Sequence, residues 1–67
     1  MIRLKVKEIA QQKGMSMGKL SRKADVAYRT IKRIYDDPYY SITITTLGRI
    51  AQALEVDPSE LVEDDGK

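Results

Sequence analysis

Four interruptions divide this chain into short stretches: Gly14, the Asp25-Val26 pair, Asp36-Asp37-Pro38 and Asp57-Pro58. Between them, apolar residues recur at helical spacing. Val6, Ile9, Ala10 and Lys13 share one face of a helix predicted over about 4–13, and Gly14 is its natural stop. Ile2, Leu4 and Val6 alternate with Arg3, Lys5 and Lys7, which leaves room for a few extended residues first. Ser16 is placed to cap a second helix that runs to about Ala24 and buries Met17, Leu20 and Ala24. A third helix carries Tyr28 to Tyr35 with Ile31 and Ile34 inward. It ends at Pro38, which cannot continue the hydrogen-bond ladder and pushes its predecessor out of the helical region. Thr43 caps a fourth helix over about 44–55, with Ile44, Leu47, Ile50, Ala51 and Leu54 as its buried stripe. Asp57, Pro58 and Glu60 form a capping-box pattern that opens a fifth before Leu61 and Val62. The fold class predicted is all-α, a single five-helix domain over residues 1–63, with 64–67 a disordered acidic tail that frays from about Glu63. Ser41-Ile42-Thr43-Ile44 is β-prone, and a ribbon between it and Met1–Leu4 stays open, although two short strands are marginal alone.

The 67 residues include no Cys and no His. Disulfide staples, thiolate or imidazole metal sites and Cys–His or Ser–His chemistry are excluded together. No nucleophile–base pair or phosphate loop is present either, so an enzyme is the weakest reading and no cofactor is expected. The paired carboxylates Asp64 and Asp65 lie in the tail expected to fray, which cannot preorganise acid–base chemistry. No apolar run approaches the ~20 residues of a membrane span, so the expectation is a cytoplasmic chain without a membrane partner. An unstapled core of this size supplies only about 3–5 kcal/mol net. Ile2, Leu4, Val56, Leu61 and Val62 either close that core or form a self-complementary surface between two copies.

The formal net charge of +2 hides a strong polarity. Residues 1–35 hold ten basic side chains against two acidic ones, and residues 36–67 hold two against eight. Solubility alone would intersperse the signs; segregation presents one end to a polyanion and turns the other away. The cations are densest from Tyr28 to Arg33. Arg29 and Arg33 stand four apart with Lys32 beside them, an arrangement that repels itself in a free helix and gains its compensation from an anionic partner.

A helix ending at Ala24, a three-residue break and a second helix with two inward isoleucines has the spacing of a helix-turn-helix. If Leu20 and Ala24 lock against Val26, Ile31 and Ile34, the outer face of the second helix projects as a unit. Such a face can enter a major groove about 12 Å wide. The order and spacing of Val6-Lys7-Glu8-Ile9-Ala10-Gln11-Gln12-Lys13-Gly14-Met15-Ser16, Leu20-Ser21-Arg22-Lys23-Ala24-Asp25-Val26-Ala27, Thr30-Ile31-Lys32-Arg33-Ile34 and Thr46 to Leu61 resemble the Cro/CI-type, xenobiotic-response-element-like helix-turn-helix proteins of bacteria and phages.

That resemblance implies a compact phage-repressor-like fold and sequence-specific binding of double-stranded operator DNA in the cytoplasm, usually by a homodimer. Carried over by position, it puts base reading on Tyr28, Arg29 and Lys32, with Ala27 and Arg33 at the edges. It puts DNA phosphate contacts on Ser16, Met17, Gly18 and Lys19 at the start of the second helix, and on Tyr39, Tyr40, Ser41 and Thr43 after the third. The sequence departs from the family pattern at several points. Asp25 stands at the turn position that is usually Gly, so it must adopt a left-handed conformation or the turn must adjust. Ala27 stands where Ser usually caps the recognition helix, and Met17 where Gln usually meets a phosphate. Ala10 and Tyr35 replace an Arg–Glu ion pair, which predicts an apolar contact instead. The resemblance implies a small transcriptional regulator, most simply a repressor. The alternatives are an antitoxin that represses its own operon while holding a toxin, and a helical module that binds protein instead of DNA.

Overall fold

In the computed structural model, which describes residues 1–66, the chain opens with a strand, β1 (Ile2–Leu4), followed by helices α1 (Val6–Gln12), α2 (Met17–Ala24), α3 (Tyr28–Asp36) and α4 (Ile44–Leu54). A single 3-10 turn, Pro58–Leu61, then leads into strand β2 (Val62–Asp64). Four α-helices are therefore present among the described residues, not five. The Asp57 capping box forms as expected, with Ser59 N–H donating to the Asp57 carboxylate and the Asp57 N–H to Glu60. The turn it starts closes after four residues because Val62 is drawn extended, pairing with Leu4.

That pairing corrects three further expectations. The N-terminal segment does form a ribbon, but its antiparallel partner is β2, in the register Ile2↔Asp64, Arg3↔Glu63, Leu4↔Val62. Ser41–Thr43 is irregular and forms no ladder with β1, whose Leu4 N–H donates instead to the Pro38 carbonyl at 2.7 Å, before that segment. Glu63 and Asp64, expected in the fraying tail, lie in β2, where they face Arg3 and Ile2 across the ladder and Glu63 pairs with Arg3 at 2.9 Å. Of the expected tail, Asp65 donates its N–H to the Met1 carbonyl and Lys67 lies outside the described residues. Helix α1 starts at Val6 instead of residue 4 because Leu4 is committed to the ladder and Lys5 N–H to the Leu61 carbonyl.

The core lies where α2, α3 and α4 converge. Leu20, Ala24, Ile31, Ile34, Ile50, Ala51, Ala53 and Leu54 are buried there, and Leu4, Val6, Ala10 and Leu61 close it from the ribbon side. Leu4 and Leu61 thus serve the core and are not free to form a surface between copies, while Ile2 remains exposed. Val56 and Val62 pack half-buried against the same core. Ile44 departs from its expected place in the buried stripe. At the first position of α4, one turn ahead of half-buried Leu47, it is 88% exposed.

A candidate nucleic-acid interface on helix α3

The turn between α2 and α3 determines where α3 points. Of the two alternatives open to it, Asp25 takes the left-handed conformation, with φ 55° and ψ 47°, and ends α2 with its N–H directed to the Arg22 and Ser21 carbonyls. The Ser21 hydroxyl donates to the Val26 carbonyl at 2.6 Å, so this small residue both permits close approach and ties the turn to α2. The Arg49 guanidinium, on α4, donates to the Asp25 carbonyl at 3.4 Å. Sequence reasoning did not single out Arg49, and nothing in its own segment signals that role. Ala27 begins α3 without a side-chain cap, and Asp25 does not supply one.

Helix α3 is sharply two-faced. Ile31 and Ile34 are fully buried, and Tyr35 packs half-buried against the core, where burial pushes its hydroxyl pKa up. Ala10 is buried in the same core, so both ends of the absent ion pair are apolar. On the opposite face Tyr28 is 50% exposed, and Ala27, Arg29, Lys32 and Arg33 are exposed with it. Among the described residues no carboxylate lies within 4.0 Å of Arg29, Lys32 or Arg33. Elsewhere Arg3 pairs with Glu8 and Glu63, and Lys23 with Glu55 at 4.0 Å, whereas Lys5, Lys7, Lys13, Lys19, Arg22 and Arg49, like the cations of α3, have no carboxylate within 4.0 Å among the described residues. On α3 three such cations share the exposed face of a helix whose back is locked by Ile31 and Ile34.

The structure distributes the other sequence-predicted residues unevenly. Ser16 caps α2 by accepting from Lys19 N–H at 3.2 Å, and Lys19 is exposed. The N–H groups of Met17 and Gly18 are left without an acceptor among the described residues, the arrangement that receives an anion at a helix start. Tyr39 faces the acidic end: its hydroxyl donates to the Asp65 carboxylate, a bond that raises its pKa. The Thr43 hydroxyl accepts from Thr46 N–H at 3.1 Å as the α4 cap and donates to the Thr46 hydroxyl, and Ser41 is exposed. Tyr40 is brought to the basic face, where the Arg33 guanidinium sits over its ring at 5.6 Å. Arg29, Thr30, Arg33 and Tyr40 line a hollow of about 250 Å³. Thr30 was absent from the sequence-based set, though its place three residues before Arg33 on one helix face was a readable signal. A larger hollow of about 380 Å³, between β1 and residues 39–42, has only uncharged side chains in its lining. Among the described residues no group of three or more acidic side chains could hold a metal ion, and no helix is long and apolar enough to cross a membrane.

A helix locked by its apolar back across a tight turn, with unpaired cations on its free side, defines a helix-turn-helix protein. Residues 5–67 match the family model of the Cro/C1-type HTH DNA-binding domain, and the chain belongs to that family. It is a DNA-binding domain of the kind that regulates transcription. None of the curated proteins matches it.

Proposed function

We propose that the protein binds a specific duplex operator by inserting the outer face of α3 into the major groove, and that it represses transcription by occluding the promoter. The observation that carries this reading is the unpaired Arg29–Lys32–Arg33 face over a buried Ile31–Ile34 back. Arg29, in the first turn of α3, is the residue best matched to bidentate recognition of a guanine. Lys32 meets a base edge or a phosphate, and Tyr28 a thymine methyl or a phosphate. The exposed Ala27 lies close enough to the groove to add an apolar contact. Ser16 to Lys19 hold a phosphate at the start of α2, and Ser41 and Thr43 approach the backbone beyond α3. Two copies related by a two-fold axis would read half-sites about 34 Å apart. An origin in a bacterium or phage, and action in the cytoplasm, go with this reading, as does a binding role without catalysis.

The test is selection of bound sequences from a random duplex pool, followed by titration of the enriched duplex at several salt concentrations. Enrichment of one motif and a steep decline of affinity with salt are expected, because each neutralised phosphate releases counterions. No enrichment together with salt-insensitive binding would remove the DNA reading and leave a protein-binding module.

A further inference from the structure

We infer that Arg33 is a backbone phosphate ligand held in place by Tyr40, and not a base-reading residue. The inference rests on the DNA reading above and divides the cations of α3 into two roles. Arg29 is the second residue of α3 and Arg33 the sixth, about 6 Å further along the axis at 1.5 Å per residue. Recognition helices read base edges from their N-terminal residues, so the later positions rise toward the backbone. The Arg33 guanidinium is drawn toward the loop after α3, where the Tyr40 ring lies 5.6 Å from it. An arginine stacked on an aromatic face keeps its edge N–H groups free while losing rotational freedom. The edge N–H groups remain available in a hollow that Thr30 and Arg29 also line, open to solvent and lacking a carboxylate within 4.0 Å among the described residues. Two guanidinium groups and a hydroxyl around one hollow suit the tetrahedral oxygens of a phosphodiester, which accept several donors at once. A base edge, planar and deeper in the groove, is poorly matched to that set.

Tyr40 is thus a positioning residue. Its half-buried ring is fixed by the course of the loop, with Tyr40 N–H donating to the Asp37 carbonyl at 3.0 Å. The decisive experiment uses the full chain and the duplex enriched from the random pool, together with a panel of single-base variants of that duplex. Arg33→Gln, an exposed substitution, should weaken binding about ten-fold on every duplex alike and lower the slope of log affinity against log salt by about one. Tyr40→Phe, which keeps the ring, should bind within about two-fold of the unaltered chain, whereas Tyr40→Leu should reproduce part of the Arg33→Gln loss and of the slope change. Tyr40→Leu placed on Arg33→Gln should add nothing further. Loss of preference at a single base pair on Arg33→Gln, or an additive double variant, would overturn the inference while leaving the DNA reading standing. Failure of the unaltered chain to bind any duplex would overturn both.

Discussion

The Arg49 guanidinium on α4 donates to the carbonyl oxygen of Asp25, the left-handed residue at which the chain turns from α2 into α3. The turn is therefore braced from two sides, by Ser21 on α2 and by Arg49 on α4. Both braces grip carbonyl groups, and neither supplies the N-terminal cap that Ala27 lacks. The angle at which α3 leaves the body is set by these contacts and by the buried pair Ile31 and Ile34.

Substitutions at Asp25 should separate conformational cost from side-chain chemistry. A β-branched residue at φ 55° is strained, so Asp25→Val should destabilise the fold by about 1–3 kcal/mol. Asp25→Gly, which adopts that conformation freely, should be neutral or mildly stabilising. Urea unfolding followed by circular dichroism reads both, and an equal loss in the two variants would show that the side chain, not the backbone, matters.

Ala27 offers the opposite opportunity. Its φ of −54° and ψ of 136° already place it outside the helix, and no side chain accepts from the first free N–H groups of α3. Ala27→Ser should supply the acceptor and raise stability by about 1 kcal/mol. The gain should appear as a higher urea midpoint at unchanged slope.

The helical part of this fold was legible because each helix announces itself locally. Ser16, Thr43 and Asp57 are short polar side chains ahead of apolar residues, and all three accept a backbone N–H at the start of the turn they were expected to cap. Asp25 was legible in part: it stands at the turn position that is usually Gly in the family, which left either a left-handed residue or an adjusted turn, and the first is what forms. The ribbon was half legible. The alternation of Ile2 and Leu4 announced a strand, but Val62-Glu63-Asp64 contains one apolar residue and carries no period that marks it as the partner. Pairing between distant segments is a tertiary event, and local pattern favoured the nearer β-prone run at Ser41–Ile44. On the candidate interface, exposure of Tyr28, Arg29, Lys32 and Arg33 followed from the inward isoleucines. The turning of Tyr39 to Asp65 and of Tyr40 to Arg33 depends on the path of one loop, and no periodicity encodes that path.

Ile44 and Ile50 illustrate how one helical stripe divides between surface and core. Ile50 is fully buried and Ile44 is 88% exposed, although both fit the same apolar period on α4. Ile44→Thr should change stability by less than about 0.5 kcal/mol, whereas Ile50→Ala should cost about 2–5 kcal/mol. In a domain with about 3–5 kcal/mol in total, the second variant should be largely unfolded at ambient temperature. Loss of amide dispersion in a proton–nitrogen correlation spectrum would show it directly, and comparable spectra for the two variants would contradict the burial difference.

Acid should loosen the terminal ribbon and the capping turn first. Burial pushes the Glu8 carboxyl up, but the hydrogen bond and charge of Arg3 outweigh it, so its pKa lies below the usual value. Asp57 is likewise lowered, chiefly by the hydrogen bond from the Ser59 backbone. A carboxylate whose folded pKa is depressed contributes stability above its unfolded pKa and loses it as pH falls through the folded one. Stability should thus be level from neutral pH down to about 4.5 and decline below it. Glu8→Gln removes one of the responsible groups and should flatten the decline while lowering stability slightly at neutral pH, where Arg3 would retain only Glu63. The effect is small because both partners are partly solvated, and urea midpoints at closely spaced pH values are needed to resolve it. A decline of the same steepness in Glu8→Gln would assign the acid response to Asp57 and the remaining carboxylates instead.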